Sequence, residues 1–248
     1  MEGRKTYRLT LCYDGTRYRG WQRLPNGALT VQGKAEEALS EVFGMPIEVS
    51  GSGRTDAGVH AKGQVASFRA PERPIGEIVP KLRHLLPEDI GVIDLSYAPD
   101  RFHARLSAAE KTYVYRVWNS AEPDVFERRF RTQIVQPLDV ERMREAAALL
   151  AGTHDFLGFC ANKHFKKSSD RTLRSLAIGQ DGNEIRFTLT ADGFLYHMAR
   201  ILVGTLLEIG AGRREIDSIG AIFEKKDRAL AGETAPAKGL CLMEVRYE

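Results

Sequence analysis

Between positions 6 and 13 the side chains alternate, with Tyr7, Leu9 and Leu11 on one face and Thr10 and Cys12 on the other. That period belongs to a strand with one face turned to a core. Strand-like runs return at 47–50, 64–69, 90–98, 112–118, 174–178, 184–190 and 240–247, the run at 90–98 weakened by Gly91 and Asp94. Helical spacing interrupts them. Thr30 is an N-cap for a helix over 31–43, where Val31, Ala35, Leu39 and Phe43 recur; Pro74 opens one that stops before Pro87; Asp139 caps a third that closes near Gly152. Two more run over 196–209, ended by Gly210, and over 216–223, while Gln180-Asp181-Gly182-Asn183 reads as a hairpin turn. Strands interleaved with helices in two stretches, 1–105 and 106–248, predict an α+β protein. Two similar α/β halves would share a largely antiparallel sheet, with a substrate cleft between them.

A chain of 248 residues, 43% apolar and 28% charged, can bury a sizeable core and has the composition of a soluble globular protein. It holds no apolar run long enough to span a bilayer, and its start passes from charge straight into a strand pattern without a signal-peptide core, so a cytoplasmic location is expected. Cys12, Cys160 and Cys241 are odd in number, far apart and outside any C-x-x-C pair, which argues against a disulfide framework or structural zinc. The net charge of +3 says little about partners, but its distribution says more. Arg128, Arg129 and Arg131 surround Phe130, and Lys163, Lys166, Lys167, Arg171 and Arg174 crowd a stretch containing Phe165. Basic side chains interleaved with aromatics suit a nucleic-acid surface, and a solvated basic loop suits either cluster equally well.

The densest chemical signal is Gly51-Ser52-Gly53-Arg54-Thr55-Asp56-Ala57-Gly58-Val59-His60. Glycines around one Arg and one Asp describe a tight loop that another backbone or a ligand can approach closely. A phosphate cradle fits poorly, because the Lys-Ser/Thr ending of a P-loop is missing and an acid stands where phosphate would be repelled. A plain turn whose Asp bonds its own backbone also fits the Arg-Thr-Asp run. His60, His103, His154 and His197, with Asp56 or Asp155, are available as metal ligands, but no metal-binding spacing is present.

The whole chain resembles the tRNA pseudouridine synthase A family, and G-R-T-D-A-G-V-H is the most specific motif it shares with it. Tyr13-Asp14-Gly15, Tyr18 and Gly20-Trp21-Gln22 resemble the family's first signature. Phe102-His103-Ala104-Arg105, Ser107-Ala108, Lys111, Tyr113 and Tyr115 resemble a central one. Phe194-Leu195-Tyr196-His197-Met198, then Arg200, Ile201, Val203 and Gly204, match a third, and Gly239-Leu240 a fourth; Ala199 departs from the usual valine without touching the chemistry.

The resemblance implies isomerisation of uridine to pseudouridine in the anticodon stem-loop of tRNA, at positions 38–40. It implies no cofactor, no metal and a homodimeric enzyme. Asp56 takes the place of the essential aspartate, acting at ribose C1′, on the C2′ proton or at C6 of the base; these three routes stay open. Arg200 takes the place of its pairing cation, and an arginine amid Met198, Ile201 and Leu202 needs a partner in any case. Tyr113 matches the tyrosine stacked on the target base, and Leu240 packs against the uracil. Arg54 is expected to contact RNA and assist base extrusion, Arg105 and the stretches near Arg129 and Lys166 to contact phosphates, and His60 to shape the loop. Tyr18, Trp21 and Gln22 are candidate linings of the RNA path, Trp21 equally a packing anchor. A catalytically silent structured-RNA-binding module and a nucleotide hydrolase using Asp56 are the rival functions. An acid in a groove for an anion costs affinity unless chemistry requires it, which speaks against the first; neither rival explains Tyr113 and Arg200 arriving in order with the Asp loop.

Overall fold

The alternation at the start of the chain becomes β1 (Arg4–Tyr13), in which Tyr7, Leu9 and Leu11 are buried and Thr10 and Cys12 half-buried. The computed structural model describes residues 3–162 and 168–248. It is an α+β protein with a large, mostly antiparallel sheet. The chain divides into two compact units, Met1–Ala109 with Leu242–Glu248, and Glu110–Cys241.

In the first unit α1 (Val31–Phe43) starts where expected, because Thr30 Oγ1 accepts from the Gly33 amide; Gly44 ends it in the left-handed conformation at φ 68°. The expected strand at 47–50 narrows to β2 (Ser50–Gly51), which pairs with β3 (His60–Pro71). α2 (Ile75–Leu85) follows Pro74, and β4 (Ile90–Ala98) completes the run. β1 pairs antiparallel with β3 on one side and β4 on the other, which places Tyr7 between Phe68 and Tyr97; the Tyr7 and Phe68 rings stack at 4.8 Å. Phe43, at the end of α1, meets Tyr7 edge-on at 5.7 Å, so that helix is anchored to the sheet by an aromatic cluster.

The second unit begins on β5 (Ala108–Asn119), with a short parallel neighbour, β6 (Thr132–Ile134), that the sequence pattern did not reveal. α3 (Val140–Leu150) is capped by Asp139, and β7 (Gly152–Asp155), also unexpected, pairs with β8 (Asp170–Asp181). The predicted hairpin joins β8 to β9 (Glu184–Ala191) through Gly182, at φ 55°, and Asn183. α4 (Met198–Gly210) and α5 (Ser218–Lys225) begin two residues later than expected. The strands of this unit lie in the order β5, β9, β8, β7, and those of the first in the order β4, β1, β3, β10, where β10 (Leu240–Tyr247) is the last strand. Leu240 and Cys241 belong to the second unit and the rest of β10 to the first. No described helix is long and apolar enough to cross a membrane, and no disulfide joins the three cysteines.

Candidate active site

The glycine-rich loop leaves β2 at Gly51 and returns to the sheet at His60, the first residue of β3. Its polar side chains divide by depth. Ser52, Thr55 and His60 are buried, Asp56 is half-buried and Arg54 is exposed. Buried polar groups are tolerable only when bonded, and here they bond to the sheet. The Tyr13 hydroxyl lies 2.8 Å from Thr55 Oγ1, Ser52 Oγ donates to Gln64 Oε1 at 2.7 Å, and the Gly15 amide donates to His60 Nδ1 at 3.0 Å. Main-chain bonds tie the loop to the 14–22 segment: the Trp21 amide donates to the Thr55 carbonyl at 3.0 Å and the Gly58 amide to the Tyr18 carbonyl at 3.3 Å. Gly20 makes this approach possible. Its φ is 94°, and a Cβ there would lie 2.6 Å from the Thr55 carbonyl oxygen. The result is a loop fixed from below that carries a half-buried carboxylate at Asp56 and an exposed guanidinium at Arg54.

His60 serves this frame, as the sequence suggested. Tyr18, expected along an RNA path, is instead 2% exposed, and Trp21, expected there or as a packing anchor, is 3% exposed and takes the second role. The Tyr18 hydroxyl donates to Asp89 Oδ1 at 2.5 Å, a carboxylate also clamped by Arg17, and burial with that carboxylate pushes the phenol up to about 12. Trp21 packs its ring beneath Gly51, where any Cβ would meet it at 2.5 Å. The physical reason is size: a short unit uses large aromatics to hold an irregular segment against its sheet. Gln22 is half-buried.

Arg105 is exposed on a turn of the same unit. That turn is pinned just before it, by the Ala104 amide donating to Ser67 Oγ at 3.0 Å and by the Tyr247 hydroxyl donating to the Ala104 carbonyl at 2.8 Å. Leu106, next in the chain, is 80% exposed.

The second unit carries the other candidates. Tyr113 sits on β5 opposite Leu189, 7% exposed, with its ring edge-to-face against Phe194 at 5.0 Å. Tyr115, two residues along on the same face, bonds Thr132 Oγ1 at 2.7 Å and donates to the Pro236 carbonyl at 2.9 Å. Burial raises its pKa, opposed by the Thr132 bond and by the charge of Arg200. Along α4 every residue is buried except Arg200 and Glu208, so the helix contributes those two polar groups from an apolar rod. Arg200 Nε donates to the Ala235 carbonyl at 2.7 Å, and the Ala235 amide returns a bond to the Arg200 carbonyl at 3.1 Å. The segment around Ala235 is seated because Gly204 leaves room: a Cβ there would lie 1.8 Å from the Glu233 carbonyl oxygen. Leu240 is 4% exposed.

The basic clusters divide differently. Arg131 is taken up by Asp124 at 2.8 Å and Glu184 at 3.0 Å, with its guanidinium 5.3 Å from the Trp118 ring centroid, so it is a structural residue; Arg128 and Arg129 are exposed. Arg174 pairs with Glu110. Lys163, Phe165, Lys166 and Lys167 lie outside the described residues. Among the described residues, no three His, Cys, Asp or Glu side chains gather as metal ligands. What the sequence reading missed is the buried support under the loop, Tyr13, Ser52 and Gln64 above all. The available signal was Gln64 itself, a polar residue at a strand position that faces Leu11 across the β1–β3 ladder.

Comparison with known proteins agrees with the motifs. The family model described as tRNA pseudouridine synthase matches residues 11–106 and 146–248, which include Arg54, Asp56, Arg105, Arg200 and Leu240, while Tyr113 lies between the two stretches. A protein of Moorella thermoacetica named tRNA pseudouridine synthase A is 46% identical over 243 residues, covering 97% of this chain and 98% of its own length. Relatives of the same name from Bacillus sp. (strain KSM-64) and Clostridium kluyveri are 45% and 43% identical, over 97% and 98% of this chain and 99% and 100% of theirs.

Proposed function

Because the chain belongs to the tRNA pseudouridine synthase family and isomerises uridine to pseudouridine in tRNA, we propose that it acts on the anticodon stem-loop, at positions 38–40, with Asp56 as its catalytic carboxylate. The reaction breaks the bond from ribose C1′ to N1 and forms one from C1′ to C5; C5 loses a proton and N1 gains one. Atoms and electrons balance without an oxidant, a reductant or a second substrate, so no cofactor is called for.

One observation supports the role of Asp56 best: a half-buried carboxylate on a loop whose Ser52, Gly53 and Thr55 are bonded to the sheet beneath. Such support keeps a nucleophile or base in place without cost at the moment of reaction. Whether it attacks C1′ or C6 or takes the C2′ proton, it acts as the anion. Arg200 is its pairing cation in this reading, held ready by Ala235. Tyr113 stacks on the target base, its ring direction set by Phe194, and Leu240 lends an apolar wall. Arg54, exposed two residues from Asp56, enters the RNA and favours the extruded base, and Arg105, Arg128 and Arg129 take phosphates. The enzyme works as a homodimer in the cytoplasm.

Site mapping tests the position. Incubated with unmodified tRNA and no cofactor, the protein is expected to form pseudouridine at 38–40. Replacing those uridines by cytidine should abolish the product. Pseudouridine confined to another arm of the tRNA would overturn the assignment.

A further inference from the structure

Gln64 lies in β3 with its side chain fully buried. Its amide nitrogen donates to the Gly53 carbonyl at 3.0 Å and approaches the Tyr13 hydroxyl at 3.5 Å, while its oxygen accepts from Ser52 Oγ at 2.7 Å. Tyr13 passes the connection to Thr55 at 2.8 Å, and the Ser52 amide donates to the Val65 carbonyl at 2.7 Å. A single side chain therefore holds residues 52 and 53 directly and residue 55 through one phenol. Tyr247 lies beside Ser52, with its ring 5.0 Å from the Arg8 guanidinium.

We infer that Gln64 is the positioning residue for Asp56. Its amide donates on one side and accepts on the other without carrying charge, and so sets the path of the chain up to the carboxylate. An apolar side chain would fill the same space but take this partner from the half-buried Gly53 carbonyl and from the fully buried Ser52 hydroxyl. A carboxylate misplaced by about 1 Å loses on the order of 10²-fold in rate. The inference rests on Asp56 being the catalytic group, and it adds the residue that aims it.

The near-isosteric Gln64→Glu separates aiming from bulk. Protonated, the new carboxyl donates to Gly53 and accepts from Ser52 as the amide does; ionised, it sets one acceptor against another. A buried glutamate titrates as high as about 8–9. The ratio of variant to native kcat on unmodified tRNA should therefore fall roughly tenfold or more between about pH 6 and about pH 9 and recover on return, with KM for tRNA unchanged. The groups facing this position, Tyr13 and Ser52 with Tyr247 and Arg8 behind them, are the same in both enzymes, so the ratio removes their titration. A folded variant whose kcat ratio is native-like and flat with pH, or whose loss lies in KM, overturns the inference. If Gln64→Glu unfolds at high pH, Ser52→Ala decides: a several-fold loss of kcat at constant KM supports it, and native kcat overturns it. Asp56→Asn run alongside keeps the two claims apart. Native turnover by that variant sinks the catalytic reading, whereas an inactive Asp56→Asn beside a native-like Gln64→Glu sinks only the positioning role.

Discussion

Arg54 and Asp56 stand two residues apart in one loop and have different surroundings, and that difference predicts different mutant behaviour. Arg54 is exposed, and its proposed role is toward the RNA rather than the loop, so Arg54→Ala should leave stability within about 0.5 kcal/mol of native. It should lower kcat/KM on folded tRNA roughly 10- to 100-fold, and by less on a tRNA whose target uridine is mispaired, because unpairing is then already done. Equal losses on both substrates would remove the extrusion role. The charged pair was legible in the sequence because charge flanked by glycine has few structural uses. Its support was not. Tyr13, Ser52 and Gln64 are ordinary residues for strands and turns, and only the register that sets Gln64 against Leu11 shows that they meet under the loop. The same ambiguity misdirected the reading of Tyr18 and left Trp21 open between RNA path and packing anchor; burial decided both for the anchor.

At the scale of elements, the starts of α1 and α3 were the most readable, because Thr30 and Asp139 bond the amides of Gly33 and Arg142 within their own turns, whereas α4 and α5, which have no such side-chain cap, were placed two residues early. Thr30→Ala should cost about 1 kcal/mol in denaturant unfolding and leave turnover per folded molecule unchanged. β6 and β7, of three and four residues, were too short to show a period and are defined by their partners, β5 and β8. The loop itself depends on a non-local contact. Gly20→Ala would bring a Cβ against the Thr55 carbonyl at an unfavourable φ, so it should reduce kcat sharply while the protein still folds, as read by circular dichroism and single-turnover kinetics. A Gly20→Ala enzyme with native kcat would show that the approach of the 14–22 segment does not shape the site.

For the molecule as a whole, the division of the chain was less legible than its parts, since residues 242–248 lie with the first unit although they come last in the sequence. That return depends on strand pairing, which no local pattern records. Stability against acid is also a property of an assembly. Glu184 is held down to about 2, from an ordinary 4.5, chiefly by its hydrogen bond with Arg116 and further by Arg186 and Arg131. A carboxyl depressed in the folded state stabilises fully above its ordinary pKa, and that contribution drains away as pH falls from about 4.5 through about 2. Unfolding midpoints should drop across this window, and less steeply in Glu184→Gln; parallel curves would dissociate Glu184 from acid lability. Sedimentation should find a dimer in solution, and a monomer active on tRNA would contradict the homodimer. The central claim is that Asp56 performs the isomerisation. The direct measurement compares native protein and Asp56→Asn on unmodified tRNA, scoring pseudouridine formed and tRNA bound in the same samples. The account predicts pseudouridine from the native protein and none from Asp56→Asn, with binding retained by both; pseudouridine from Asp56→Asn at the native rate would contradict it.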